Sequence, residues 1–306
     1  MKNYSTNITD NQWQFIKKTL NFNNRKRKHE LRIIWNAIMY LIKTGCQWRM
    51  LPSDFPKWEL VYYYYSKWAN AEDFDLLLSK LREKVRLKRN QKREPSLGIM
   101  DSQSVRWGNN RSLNGFDGNK KIKGIKRHVV VDKNGFLLAI MVTIANIHDS
   151  KATELLMRTL SYFLSPIKVI LADGGYRGEI IEHVKNKFGY LINVVMRNQE
   201  KKSDFKPVSK RWIIERTFSW FDNDRRLCRN YELLMENSEN MVKLSAIKNL
   251  LNNEEIHLIQ QKFFKNSDIS KTNIKKFFRK DCFITNKQFN TKEEILTYLT
   301  KKLENS

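Results

Sequence analysis

Hydrophobic residues recur with helical spacing through the first part of the chain, between residues 9 and 87. In the clearest stretch, residues 30–44, Leu31, Ile34 and Ile38 share one face of a helix. The period predicts four helices, which cover residues 9–20, 30–44, 58–68 and 72–87. A helix, a short turn and a helix with basic and aromatic residues are typical of a DNA-binding helix-turn-helix. An ordinary helical bundle with an aromatic core has the same pattern, and both interpretations stay open.

The pattern changes after residues 88–95, a highly charged stretch that ends in Pro95 and is typical of a linker. Beyond it, an Asn134-Gly135 pair between two apolar runs predicts a β-hairpin, and residues 106–121 are expected to form a loop. The predicted strands cover residues 96–100, 122–131, 136–145, 167–172 and 190–196, and the predicted helices cover residues 150–163, 178–188, 211–226 and 237–251. This order predicts an α/β domain over residues 96–251, whose mixed sheet has an antiparallel half and a parallel half.

The charge of the chain narrows the range of partners. The 306 residues include 57 Lys and Arg against 32 Asp and Glu, a formal net charge of +25. A protein this basic attracts polyanions such as nucleic acids, although a lysine-rich solvated surface gives the same count. Three cysteines are too few for a disulfide framework, and the best apolar run, residues 136–145, covers about half of a bilayer. Because the N-terminal residues are polar as well, we expect a soluble cytoplasmic protein with no membrane partner.

Three carboxylates are candidates for a metal site. Asp101 and Asp173 each directly follow an apolar strand, and Glu215 lies early in the predicted helix 211–226. Carboxylates brought together repel one another unless they share a cation, and Mg²⁺ prefers such oxygen ligands. Two Mg²⁺ ions held in this way could activate an attacking oxygen and stabilise a leaving oxygen. Each residue also has a simpler interpretation, because an Asp after a strand often forms a turn and Glu215 could pair with Arg211.

Six segments in a fixed order, within residues 8–251, carry a resemblance to a known family. They are TGCQWRMLPSDFPKW, MDSQSV with Asp101, GFDGNKKIKGIKRHVVVD, ANIHDS, LADGGYRG with Asp173, and RWIIERTFSWFDNDRRLCRNYE with Glu215. In these segments the sequence resembles bacterial insertion-sequence transposases of the DDE type, specifically the insertion-sequence-five-like group. The resemblance implies a ribonuclease-H-like catalytic domain, which follows an all-α DNA-binding region over residues 1–87.

The resemblance also implies an activity, which is Mg²⁺-dependent cutting at transposon ends and joining of the freed 3′-hydroxyl to target DNA. The family's three acidic metal ligands fall on Asp101, Asp173 and Glu215, with two Mg²⁺ ions for which Mn²⁺ can substitute. The expected partners are double-stranded DNA and, when DNA is bound, a second copy of the chain. The alternative is a catalytically silent, domesticated transposase that serves as a DNA-binding regulator, and the intact set of three carboxylates argues against it.

Eight basic residues are candidates for contact with DNA. In some related transposases an Arg precedes the Glu by four positions, as Arg211 does here, and a Lys follows it by seven, where this chain has Asp222. Arg226, about three helical turns after Glu215, and Arg216 are the candidates to replace that Lys at the scissile phosphate. The densest basic cluster is expected to follow a DNA backbone, unless it is only a solvated strand edge. This cluster consists of Lys120, Lys121, Lys123, Lys126 and Arg127.

Three other features have separate interpretations. Trp107 could stack on an unpaired base near the cleavage site, whereas Trp220 lies within an apolar helix face and is expected in the core. Asp132 lies in the hairpin turn, so its replacement by Asn is expected to cost far less activity than that of Asp173. Residues 252–306 lie outside the resemblance and form a basic tail that could bind DNA, pack on the domain, or be read-through into a neighbouring gene.

Overall fold

The four helices predicted for the N-terminal part of the chain are present, and each lies within two residues of its predicted limits. The computed structural model describes residues 3–22, 25–108, 112–163, 166–176, 178–195 and 210–266. The helices are α1 (Asp10–Thr19), α2 (Leu31–Thr44), α3 (Trp58–Asn70) and α4 (Asp73–Lys88). A capping box begins α1, because Thr9 and Gln12 each accept the other's backbone N–H through a side-chain oxygen. α2 ends at Gly45, whose φ of 70° lies in the left-handed region.

Aromatic side chains form the core of this helical region. Trp35 of α2 is fully buried, and its ring centroid lies 5.3 Å from that of Trp68 and 6.2 Å from that of Phe74. Ring pairs in such contact add about 0.5–1.5 kcal/mol each beyond the burial of their surface. Of the four consecutive tyrosines, Tyr65 is buried in this core and Tyr63 is exposed. The apolar period of the helices therefore reflects a packed aromatic interior.

Within the described residues, the second part of the chain forms a six-stranded mixed sheet. Its strands are β1 (Leu97–Arg106), β2 (Gly115–Asp117), β3 (Ile122–Val131), β4 (Leu137–Ile144), β5 (Val169–Ala172) and β6 (Leu191–Val194). β3 pairs antiparallel with β1 on one edge and with β2 and β4 on the other, whereas β1, β5 and β6 pair in parallel. The order β4-β3-β1-β5-β6 confirms the predicted α/β fold with a ribonuclease-H-like mixed sheet.

Helices lie on both faces of the sheet. They are α5 (Asp149–Phe163), α6 (Ile180–Phe188), α7 (Trp212–Asp222) and α8 (Met235–Asn266). α5 and α6 cover a core on one face that includes Met100, Val130, Leu156, Leu160, Ile170 and Val184. α7 contacts β1 through Asp101 and Gln103, which point to the opposite face because side chains alternate along a strand. Among the described residues, no helix combines the length and apolar character that a membrane crossing requires.

Two strands differ from the sequence prediction. β1 continues past Asp101 as far as Arg106, because every residue from Ile99 to Arg106 pairs with β3. β2 lies within the segment that was expected to be a loop, and it is only three residues long. Both differences come from pairing with β3, a partner that the local sequence of β1 and β2 does not reveal.

A buried ion pair holds the turn between β3 and β4. Asp132 is fully buried and pairs with Arg86 of α4, which is almost fully buried as well. The Oδ1 atom of Asp132 accepts the backbone N–H of Asn134 at 2.8 Å. Arg82, one helical turn earlier on α4, donates to the carbonyl oxygen of Leu137 at 3.0 Å. α4 therefore fastens the helical region to the hairpin of the sheet.

The four helices and the sheet belong to one compact unit, Thr6–Glu254. A second unit consists of residues 3–5 and 255–306, of which the structure describes residues 3–5 and 255–266. The domain limits drawn from the sequence stay predictions, including the linker at residues 88–95. Most of the basic tail lies outside the described residues.

The burial of Asp132 in an ion pair means that Asp132→Asn affects stability, whatever its effect on activity. Asp132→Asn leaves the Arg86 guanidinium buried without its counter-charge, so we expect the free energy of unfolding to fall by about 3 kcal/mol. Asp10→Asn is the matched control, because Asp10 pairs with Arg32 on the surface and its side chain is 87% exposed. That change should cost less than about 1 kcal/mol. Urea denaturation of both variants measures the difference, and equal small losses would contradict the prediction.

Candidate active site

Asp101 and Asp173 lie at the same level of two adjacent parallel strands. β1 and β5 pair with Ile99 opposite Leu171, and each aspartate lies two residues beyond this pair. Side chains two residues apart on a strand project to the same face, so the two carboxylates emerge side by side. The carboxyl ends of parallel strands are where loops open and sites form in α/β sheets. The sheet register thus brings together two of the three carboxylates predicted from the sequence.

The guanidinium group of Arg211 lies between these two carboxylates. Its Nη2 atom is 3.4 Å from Oδ2 of Asp101 and 3.6 Å from Oδ2 of Asp173. The three side chains are only partly exposed, at 20%, 15% and 30% for Arg211, Asp101 and Asp173. A positive charge within this distance offsets the repulsion of the two carboxylates. Arg211 is therefore the counter-ion of the pair in this structure.

Burial dominates the electrostatics of Asp101. Removal from solvent raises the pKa of its carboxyl above the ordinary value, and the charge of Asp173 raises it further. The backbone N–H of Ser102, which donates to Oδ1 at 2.7 Å, and the Arg211 guanidinium both lower this pKa without cancelling the effect of burial. A negative charge at Asp101 is therefore costly, and an additional cation at this position would stabilise it.

Glu215 faces the same region from α7. Arg211 precedes α7 by one residue, and Asp222 at its end accepts a hydrogen bond from Gln103 of β1 at 3.2 Å. At about 100° per residue, Arg211, Glu215 and Asp222 lie within about 40° of one another around the helix. α7 thus touches β1 before and after Glu215, on the face that carries Glu215. The Glu215 side chain is exposed on this face.

The donor set of this site suits a hard divalent cation. Carboxylate oxygens are the ligands that Mg²⁺ prefers, and two of them lie on the paired strands with a third on the facing helix. Within the described residues no three acidic, His or Cys groups are already close enough together to hold a metal ion. The Arg211 guanidinium stands between the two aspartates instead. The residues present therefore fit the metal by type and by the face that they share.

Two of the three candidate arginines are engaged elsewhere. Arg226 is buried, and it bonds to Glu232 through Nε at 2.7 Å and to the carbonyl oxygen of Cys46 through Nη1 at 3.0 Å. The guanidinium of Arg216 lies 4.7 Å from each of the Trp212 and Trp220 rings, and it donates to the carbonyl oxygen of Asn134 at 2.8 Å. The interpretation of Arg226 as a phosphate contact is wrong because its side chain is buried and paired, whereas that of half-buried Arg216 stays a prediction. Arg211 alone of the three reaches the carboxylates.

The basic cluster on β3 does not form one surface. Lys126 is buried and lies 3.2 Å from Asp149 and 3.6 Å from Asp117. Arg127 is 1% exposed and donates to the carbonyl oxygen of Leu227 at 3.0 Å. Both were expected to follow a DNA backbone, and this is wrong because β3 has neighbouring strands on both edges and helices over both faces.

The other three members of the cluster stay on the surface. Lys121 and Lys123 are exposed at the start of β3. Lys120 is exposed too, although its ammonium group donates to the carbonyl oxygen of Ser102 at 2.9 Å. These three lysines remain candidates for contact with DNA.

Tyr176 is a neighbour of the site that sequence reasoning missed. It lies three residues after Asp173, is 1% exposed, and burial raises the pKa of its phenol well above the ordinary value. The carboxylates of Asp149, Asp101 and Asp173 raise this pKa further, so the phenol stays neutral behind the site. Its position in the segment LADGGYRG was the only sequence signal. That signal does not distinguish a buried tyrosine from an exposed one.

The repulsion at the site predicts opposite effects of two substitutions. In buffer with a metal chelator, Asp101→Asn should keep or raise the free energy of unfolding, because it removes a buried negative charge beside Asp173. Arg211→Gln should lower it by about 1 to 2 kcal/mol, because both carboxylates lose their charged partner. Urea denaturation measures both values. A loss for Asp101→Asn as large as that for Arg211→Gln would refute this account.

Comparison with known proteins finds two family matches along the chain. Residues 8–78 match a family described as "Putative transposase of IS4/5 family", and residues 92–237 match the family "Transposase DDE domain". The chain is 33% identical over 144 residues to a protein of Burkholderia cepacia named "Putative transposase for insertion sequence element IS402". That alignment covers 44% of this chain and 64% of the relative, so the chain spans less than two thirds of the relative's length. Together with the paired aspartates of the ribonuclease-H-like sheet, these matches support an insertion-sequence transposase of the DDE type.

Proposed function

We propose that this protein is a DNA transposase that binds the terminal inverted repeats of an insertion sequence, cleaves DNA at its ends and transfers the 3′-hydroxyl ends to target DNA. The observation that carries the proposal is the juxtaposition of Asp101 and Asp173 at the carboxyl ends of β1 and β5, with Glu215 on the facing helix. The family matches support a transposase, and this arrangement supports an active one.

Asp101, Asp173 and Glu215 would hold Mg²⁺, as two ions for which Mn²⁺ can substitute. When bound, Mg²⁺ supplies activation of the attacking oxygen and stabilisation of the leaving oxygen. The pairing of β1 with β5 places the two aspartates side by side, each two residues beyond the last pair, Ile99 with Leu171. Arg211 offsets their charge, and its planar guanidinium is suited to bind a phosphate oxygen of DNA that approaches the pair.

The distribution of charge supports DNA as the substrate. The net charge of +25 favours association with a polyanion, and Lys120, Lys121 and Lys123 are exposed beside the sheet that carries the site. In this proposal α1–α4 recognise the terminal repeats, and the buried Arg86–Asp132 pair connects these helices to the sheet. The protein would act in the cytoplasm, on the DNA of the nucleoid.

Two transposon ends require two sets of end contacts, so we expect at least a dimer on DNA. The mass of the full-length protein bound to a duplex with the DNA that flanks its gene, measured by native mass spectrometry, tests this. The expected species holds two protein copies and two DNA ends. A single protomer that holds both ends would refute the expected dimer.

If Asp101, Asp173 and Glu215 hold the metal, their substitution should abolish cleavage. Asp173→Asn and Glu215→Gln each keep the shape of the side chain and remove its charge, so metal affinity should fall. Cleavage of the flanking-DNA duplex in Mg²⁺ should drop by orders of magnitude, whereas binding of the duplex should survive. Glu154→Gln is the control for Glu215→Gln, because Glu154 lies on α5 with Lys187 and His183 as its partners. Gel assays of cleavage and binding measure both activities.

The outcomes separate the transposase from its alternative. Normal cleavage by Asp173→Asn or by Glu215→Gln would remove that residue from the active site. Specific binding of the flanking DNA by wild type, with no cleavage in Mg²⁺ or Mn²⁺, would favour the catalytically silent regulator. Loss of cleavage in Glu154→Gln as well would show that the assay reports folding rather than chemistry.

A further inference from the structure

A groove of about 310 Å³ opens beside the far end of β1, away from the catalytic carboxylates. It is lined by Arg106, Trp107, Phe116, Lys121, Lys123 and Arg229. Two of these six residues are aromatic, four are basic and none is acidic. The volume lies within the range of pockets that hold small organic ligands. The chemistry of the lining therefore suits a ligand that has both a flat ring and negative charge.

Three of the lining side chains form a row across β2, β3 and the residue that follows β1. Phe116 of β2 is the partner of Lys123 on β3, and the backbone N–H of Trp107 donates to the carbonyl oxygen of Lys123 at 3.4 Å. The Lys123 ammonium lies 5.3 Å from the centroid of the Trp107 ring. Residues opposite each other in an antiparallel ladder project to the same face. Because side chains alternate along a strand, this is the face of the sheet that carries Asp101.

Three features of the groove are costly for the folded protein by itself. Phe116 is 56% exposed although its ring is apolar. Lys121 has a φ of 52°, in the left-handed region that glycine or asparagine occupies more easily. Four converging positive charges add mutual repulsion. A ligand that stacks on the exposed ring and neutralises the cations would offset these costs.

The aromatic residues distinguish between paired and unpaired DNA. In a duplex the faces of the bases are stacked on one another, and a neighbouring protein reaches phosphates and base edges. An aromatic side chain can stack on a base that has left the helix without first separating neighbouring base pairs. Trp107 lies about 20 Å along β1 from Asp101 at the rise of an extended strand, so one DNA strand can reach both positions.

We propose that this groove binds an unpaired nucleotide of the DNA strand that passes the catalytic carboxylates. Trp107 and Phe116 stack on its base, and the lysines and arginines of the groove contact its phosphates. The inference rests on the proposed function, because it requires DNA at Asp101 and Asp173.

Binding of single-stranded and double-stranded DNA tests the proposal. Fluorescence anisotropy with the full-length protein compares a labelled oligothymidylate with a fully paired duplex. Phe116→Ala should weaken binding of the single strand about tenfold and leave duplex binding unchanged, because it removes one stacking surface. Phe116→Trp should restore single-strand binding. Tyr162→Ala, at a tyrosine of α5 that is 74% exposed, is the control for loss of a surface aromatic residue and should change neither.

A second measurement locates the unpaired base. A duplex with one unpaired 2-aminopurine should lose fluorescence when wild type binds, because the base stacks in the groove, and Phe116→Ala should recover part of it. Equal weakening of single-strand and duplex binding by Phe116→Ala, or no effect on either, would overturn the proposal. Duplex binding by wild type without single-strand binding would also overturn it and leave the proposed function standing. Failure of wild type to bind either form would instead count against the proposed function.

Discussion

The repulsion between two carboxylates on adjacent parallel strands governs the arrangement around the site. Pairing of β1 with β5 places Asp101 and Asp173 side by side, and burial makes the charge of Asp101 costlier still. Arg211 lies between them as a counter-ion, at 3.4 and 3.6 Å. Because Arg211 lies one residue before α7, this contact connects the start of the helix to the ends of both strands. A cation site is the natural use of such an arrangement, since negative charge is concentrated there at a cost to stability.

The helix that carries Glu215 depends in turn on the β3–β4 turn. The hydroxyl of Thr217 donates to the carbonyl oxygen of Gly135 at 3.0 Å. Gly135 has a φ of 84°, and a Cβ atom there would lie 2.7 Å from the Thr217 hydroxyl, so glycine is required for this approach. The same turn is held from the other side by the buried pair of Asp132 with Arg86. A continuous set of contacts thus connects the N-terminal helices to the active-site helix.

The two faces of the sheet differ: one packs against a helical layer, and the other carries the candidate site. On one face, α5 covers an apolar core, and buried Lys126 pairs with partly exposed Asp149 at the start of this helix. On the other face, the carboxylates lie beside α7, and the groove of Trp107 and Phe116 lies further along. Alternation along β1 and β3 assigns each side chain to one of these faces. Neighbouring residues in the sequence, such as Lys123 and Lys126, therefore have unrelated roles.

The sequence by itself determined the helices, most strands and the α/β order, because hydrophobic periodicity is a local property that survives into the fold. Its motifs also indicated the family. Only the tertiary structure decided which basic side chains are free, because that depends on what covers them. Lys126, Arg127 and Arg226 lie in the interior, since strands and helices distant in sequence pack around them. The contact of Arg211 with two aspartates could not be predicted from the sequence either, because it depends on the register of β1 with β5.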